Sequence, residues 1–463
     1  MFGDDLRATT LAWSAQWWDY DLHMVWNPAG GLAPSLAARS LHLVPNTAWL
    51  AYALLGQSDE RDHAEAIAAL EQLVALQYDA PGEKFHGTYA QFFESPYPSA
   101  DAAMWIHYDP NWRQFVGTTF ALILIDFADR IPATLVERLE ASVRLACEGE
   151  ASEARLVPTY ANPALMCAWL DAWLGDRQSD AAALVRGEAL ARAVVSEHDR
   201  HGAFEEFNSP TYYGIDLYAL RLWRLFPPTE YFAQAGRRLE TTLWAQAARF
   251  FHAGLRNFCG PYTRSYHPDA NRSVALFSLW QWALFGRERA PLPSLTDDIV
   301  DHCHDLCAGP LFARLAGPPD DVDLEAFREF DAARLLTQEL PNRRAISAAL
   351  HGDVMIGAEA SDNDWGGWSQ FMPVTVHWRD GVLWLINPHV VHARVSERTV
   401  TIDGVTGDLT CAVIASSCEL TDAGFRAPGL ECTVRGATVT SRQARDRYVL
   451  TLAPKGPALE LAF

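Results

Sequence analysis

Pro163 to Leu174 reads PALMCAWLDAWL and, after the polar turn Gly175 to Asp180, Ala181 to Val195 reads AAALVRGEALARAVV. In both runs the apolar residues recur at the spacing of an α-helix, and the short turn makes the two neighbours in a helical hairpin. The same pairing returns in Phe115 to Ala128 with Ala133 to Cys147, and in Tyr212 to Leu225 with Tyr231 to Ala253; Ala64 to Leu76 is a further helical run. From about Pro45 to Leu336 such hairpins recur every 50 residues or so, the length of one layer in an α/α toroid. The pattern predicts an incomplete or six-hairpin toroid whose inner helices line a cavity.

After about Asn342 the periodicity changes to two. Val374 to Trp378, Val382 to Ile386, Thr399 to Ile402, Leu409 to Ile414, Leu430 to Val434 and Tyr448 to Leu452 are rich in Val, Thr, Ile and Trp, with turn signals such as Arg379-Asp380-Gly381 and Asp403-Gly404 between them. This predicts an antiparallel β-sandwich. The expected organisation is a toroid domain over 1–340 and a sandwich domain over 341–463, with Leu315 to Leu340 as linker and last helix.

The chain has 463 residues, 49% of them hydrophobic, and 37 Lys and Arg against 58 Asp and Glu give a net charge of −21. Such a chain can bury a large core, and its acidity with no Lys/Arg-rich run argues against a nucleic-acid partner. No uncharged window of about 18 apolar residues is present, so no membrane span is expected. The opening MFGDDLRATTLAWSAQWWDYDL lacks the basic and apolar regions of a secretory signal, and a cytoplasmic location is expected. Eight scattered Cys fit reduced, buried thiols. Oligomeric state is not legible. Phosphate-cradling Gly-rich loops, Gly-x-Ser-x-Gly elbows and dinucleotide fingerprints are missing, so no cofactor is expected.

Four segments concentrate chemistry: His107-Tyr108-Asp109-Pro110-Asn111-Trp112-Arg113, Tyr160-Ala161-Asn162, Phe204 to Gly214 (FEEFNSPTYYG) and Gly260 to His267 (GPYTRSYH). Asn111, Asn162, Tyr212 and Arg264 lie 51, 50 and 52 residues apart, so equivalent ends of successive hairpins can converge on one mouth of the toroid. Seventeen Trp are many for this length, and Trp17, Trp18, Trp105, Trp112, Trp365 and Trp368 fall outside apolar stripes, where an indole can stack on a sugar.

In the order of these motifs the chain resembles the chondroitin/hyaluronan lyase and heparinase-like group, in which a helical toroid precedes β-sandwich domains. Asn111-Trp112 followed by Gly117-Thr118 resembles the group's Asn-Trp segment at the sugar cleft, and Asn162 stands where such enzymes keep an asparagine that neutralises a uronate carboxylate. Gly202-x-Phe204 before Tyr212-x-Gly214 resembles the segment leading to the catalytic tyrosine, with Arg264 as its supporting arginine. Where the group carries a catalytic histidine, this chain has Phe207, with Asn208 beside it.

The resemblance implies β-elimination on a uronate-containing oligosaccharide. The C5 proton becomes removable when the carboxylate is neutralised, here by the amides of Asn162 or Asn208 with Arg264. Tyr212 is the candidate base and acid, with Tyr213 and Tyr266 as rivals, and an adjacent guanidinium is expected to favour its phenolate. His107, Tyr108, Asn111, Trp112, Tyr160, Tyr262, His267, Trp17, Trp18 and His86, the last within Lys84 to Tyr89, are candidate substrate contacts. A second reading uses Glu206 and Asp109 as the carboxylate pair of a toroidal glycoside hydrolase. A third is a non-catalytic sugar-binding protein. His302-Cys303-His304-Asp305-Leu306-Cys307 holds soft ligands, and Asp362-Asn363-Asp364-Trp365 could hold calcium; no metal site is assigned to either, since structural zinc needs four ligands of correct geometry.

Overall fold

The computed structural model describes residues 2–27, 41–295, 301–386 and 388–463. Helices α1 (Phe2–Ala15), α2 (Val44–Leu55), α3 (Glu60–Ala75), α4 (Trp112–Asp126), α5 (Ala133–Glu153), α6 (Ala161–Gln178), α7 (Ala181–His201), α8 (Tyr212–Leu225), α9 (Glu230–Phe250), α10 (Leu276–Phe285) and α11 (Gly309–Leu315) build the N-terminal part. Inner and outer helices differ in composition, as a ring requires. In α6 every residue from Ala161 to Gly175 is buried, and in α8 every residue from Tyr212 to Trp223. Their partners α7 and α9 bury one stripe and expose the rest. Packing runs α2 to α4, α6, α8 and α10, and α11 closes back onto α2, so the toroid is a complete ring. Two short sheets decorate it: β1 (Trp18–Asp19), β2 (Met24–Trp26) and β3 (His42–Leu43) near the N-terminus, and the hairpin of β4 (Phe251–His252) and β5 (Asn257–Phe258) after α9.

The C-terminal part is a 14-stranded antiparallel sheet running from β6 (Arg334–Leu340) to β19 (Ala458–Ala462). It folds over on itself in the manner of a sandwich. Val400 and Ile402 of β12 (Thr399–Asp403) share one core with Cys411 and Val413 of β13 (Leu409–Ile414), although four strands separate β12 and β13 along the sheet. One expectation fails: Leu315 to Leu340, expected as linker and last helix, ends in a strand, since residues 334–340 pair with β7 (Arg344–Leu350) from Arg334 opposite Leu350 to Leu340 opposite Arg344. Their burial alternates with period two, which the adjacent Leu335 and Leu336 conceal in the sequence.

Toroid and sheet are fastened through the segment after β5. Tyr262 and Met372 exchange backbone hydrogen bonds of 3.0 Å in both directions, and Ser265 N–H donates to the Gln370 carbonyl at 2.8 Å. Arg344, fully buried on β7, donates to Glu359 at 2.7 and 3.0 Å and to Glu205 at 2.9 Å. Gly357 has no room for a side chain: a Cβ there would lie 1.7 Å from the Gly260 carbonyl oxygen.

Candidate active site

The N-terminal ends of α4, α6 and α8 converge with the 260–266 segment in one cluster. Asn111, just before α4, donates its amide to the Tyr160 hydroxyl at 2.8 Å and accepts from Arg155 Nη2 at 2.9 Å. Asn162, in the first turn of α6, donates Nδ2 to Glu206 at 2.5 Å. Glu206 also takes Arg264 Nη1 at 2.9 Å, so its carboxylate bridges the asparagine and the guanidinium. Arg264 lies over the Tyr212 ring, 3.9 Å from Cζ to centroid, while its Nε donates to Gln370 at 2.9 Å and its Nη1 reaches the Tyr160 hydroxyl at 3.5 Å. The hydroxyls of Tyr212 and Tyr266 are 2.5 Å apart. Tyr212 is buried, whereas Tyr266 is 37% exposed, so Tyr266 is the member of the pair that solvent and ligands meet.

Electrostatics correct one expectation. Arg264 does pull on both phenols, but burial comes first and is the larger effect, and Tyr212 and Tyr266 are both held above the ordinary tyrosine value. In the free protein the pair is a neutral phenol pair under a cation. Burial opposes the charge of Arg264, yet Tyr212 and Glu206 outweigh it and the guanidinium stays charged. Asp109 is raised to about 6, chiefly by burial, against a backbone N–H from Asn111 at 2.8 Å and the cations Arg155 and Arg264. Asp216, one turn into α8, is fully buried with neither oxygen hydrogen-bonded among the described residues; burial, then Glu206, hold its carboxyl well above the usual range.

Other candidates are engaged elsewhere. Asn208 is no carboxylate neutraliser: its amide donates to the backbone carbonyls of Cys259 at 2.5 Å and Pro261 at 3.2 Å, pinning the segment that carries Arg264. Tyr213 donates to Gln246 and Tyr262 to the Phe258 carbonyl, both fully buried, which removes them as substrate contacts. His267 turns back onto Asp269, His86 accepts from the Ala80 N–H, and Tyr108 is buried against Phe85. Trp18 is buried and donates its indole N–H to Glu65, and Trp17 packs against Trp13. Trp112 packs edge-on to Phe115. His107 accepts from the Ala103 N–H on an exposed loop, beside Trp105, which is 54% exposed and has Arg155 6.0 Å from its ring. Phe207 faces away from the cluster, into a small core with Phe250, Ile346 and Met355 at the seam between toroid and sheet.

Three members of the cluster lie outside the four motif segments. Arg155 follows the left-handed C-cap of α5 at Ala154, and Gln370 and Trp368 come from the sheet domain, the latter with Arg264 5.7 Å from its ring. Pairing of 260–266 with 370–372 brings the last two in, a tertiary fact with no local signature.

Residues 4–317 match the family described as Domain of unknown function (DUF8769), and the chain belongs to that family. No curated protein matches the chain. Among solved structures it is similar to the Streptomyces coelicolor A3 chondroitin AC lyase in complex with chondroitin sulphate, at 12% identity over 99% of this chain and 79% of that one, with a TM-score of 0.46. It is also similar to Heparinase III, at 8% identity over 93% and 78% with a TM-score of 0.37, and to the endoglucanase CelQ from Clostridium thermocellum complexed with cellotriose, at 10% over 91% and 84% with a TM-score of 0.30.

Proposed function

We propose that the chain cleaves a short uronate-containing oligosaccharide by β-elimination, with the Tyr212–Tyr266 pair as base and acid. The observation that carries this reading is the guanidinium of Arg264 over the Tyr212 ring while Tyr212 and Tyr266 share a hydroxyl contact. Deprotonation of the pair leaves one proton between two oxygens, and Arg264 stabilises the resulting charge. The exposed Tyr266 oxygen takes the C5 proton, the electrons form the C4–C5 double bond, and the pair returns a proton to the departing glycosidic oxygen. Asn162 and Arg264 neutralise the uronate carboxylate, and Trp105, Tyr160 and Trp368 offer aromatic faces for the sugar rings.

One observation favours the hydrolase alternative. Asp109, raised to about 6, and Glu206, paired with a guanidinium, are two carboxyls in contrasting environments, as an acid and its ionised partner require. A panel of uronate-containing and neutral oligosaccharides distinguishes the two. Elimination creates a conjugated 4,5-unsaturated uronate that absorbs in the ultraviolet; hydrolysis creates reducing ends without absorbance. The expected outcome is absorbance that rises with pH, reduced by roughly 10²-fold or more in Tyr266→Phe and Tyr212→Phe. Reducing ends alone, unchanged in both variants, would overturn the proposal.

A further inference from the structure

Beside the tyrosine pair lies a group of ligating side chains that the proposed reaction does not use. His302, His304 and Asp305 bring their donor atoms within 4.8 Å of one another. The Asp305 carboxylate sits between the two rings, with Oδ2 3.6 Å from His302 Nδ1 and Oδ1 3.7 Å from His304 Nε2. These separations are too long for hydrogen bonds. They are close to the edge of a tetrahedral coordination sphere, about 3.3 Å for metal–ligand bonds of about 2.0–2.1 Å.

The ring nitrogens are otherwise without hydrogen bonds among the described residues, and His304 Nδ1 is buried without a hydrogen-bond partner. The loop is fixed from behind, since the His304 carbonyl accepts from the Asn46 amide of α2 at 3.0 Å and the Tyr266 ring stacks on His302 at 3.8 Å. The two imidazoles are 25% and 26% exposed, so a cation there keeps a position open to solvent. Cys303 and Cys307, which the sequence offers at helical spacing, instead pack into the hydrophobic core and are not ligands.

We propose that His302, His304 and Asp305 bind one divalent cation of the zinc class through two imidazole nitrogens and a carboxylate, with water completing the sphere. The donor set of two borderline nitrogens and one oxygen suits zinc and is poor for calcium or magnesium, which take oxygen ligands. Through His302, which stacks on the Tyr266 ring at 3.8 Å, the ion holds that ring in place, which makes it a positioning element of the same cleft. The binding claim does not depend on the reaction proposed above, because it is tested without substrate.

The experiment is calorimetric titration of chelator-treated, full-length protein with zinc chloride, in parallel with cobalt(II) as a spectroscopic probe. The expected result is one equivalent of zinc bound and a cobalt visible spectrum of nitrogen and oxygen ligation without a thiolate charge-transfer band. His302→Ala and Asp305→Asn should each weaken binding roughly tenfold or more, with thermal melting confirming that both variants fold. Cys303→Ser should leave the affinity unchanged. No stoichiometric uptake by the wild type, or uptake that survives His302→Ala combined with Asp305→Asn, would overturn the assignment.

Discussion

Replacing Asp109 by Asn removes one negative charge from a largely buried position and keeps the oxygen that accepts the Asn111 N–H. The Asp109 carboxyl is raised to about 6 from 3.8, so the folded state holds its proton more tightly than the unfolded chain does. The stabilisation this gives is fully present below about pH 3.8 and is lost as pH rises through about 6. An uncharged Asn never incurs that loss. Its advantage over the wild type is therefore small in acid and grows through roughly 1–2 kcal/mol at pH 5 to about 3 kcal/mol at pH 8, taking about 1.4 kcal/mol per pKa unit. Urea denaturation of both proteins at several pH values between 5 and 8 measures the difference. A gain that does not grow with pH, or a loss, would refute the view of Asp109 as a desolvated carboxylate. The same variant tests chemistry: elimination by the tyrosine pair should survive it, and hydrolysis through Asp109 should not.

Other outcomes follow from the same contacts. Arg344→Ala strands the fully buried Glu359 without its cation, and should cost about 3–5 kcal/mol in urea denaturation. Gly357→Ala should lower Tm and also reduce activity, although Gly357 touches no substrate, because its Cβ would displace the Gly260 carbonyl and with it the segment that carries Arg264.

The helical hairpins were legible because inner helices are rich in apolar residues and buried nearly all round, while outer ones bury one stripe; the predicted run Tyr212 to Leu225 coincides with α8. The strand at 334–340 was not, since two adjacent leucines mask its alternation. In the site, Asn111, Tyr160, Asn162, Glu206, Tyr212, Arg264 and Tyr266 were legible as polar or aromatic residues at hairpin ends spaced by one layer. Asn208 carries the same signal and has a different task, because the carbonyls that claim its amide lie 51 and 53 residues away. Gln370 meets Arg264 across 106 residues, through a pairing between domains that no periodicity announces.

A net charge of −21 disfavours an anionic substrate over the molecule as a whole, so what matters is the charge at the site itself. Charge that steers a ligand is the charge lining its cleft, and two guanidiniums, Arg155 and Arg264, face this one. Each is accompanied by acids: Arg155 lies 3.3 Å from Glu150, and Arg264 lies 2.9 Å from Glu206. In the free protein Glu206 occupies the donors, Asn162 and Arg264, that a uronate carboxylate would need. If elimination is the reaction, Glu206 competes with substrate, and Glu206→Gln should lower KM several-fold for a uronate substrate while changing kcat little. If Glu206 is instead the ionised carboxylate of a hydrolase, the same substitution abolishes kcat and leaves KM nearly unchanged. Steady-state kinetics on this one variant therefore separates a carboxylate that holds the place of the substrate from one that attacks it. A fall in kcat of roughly 10³-fold or more with unchanged KM would end the elimination reading.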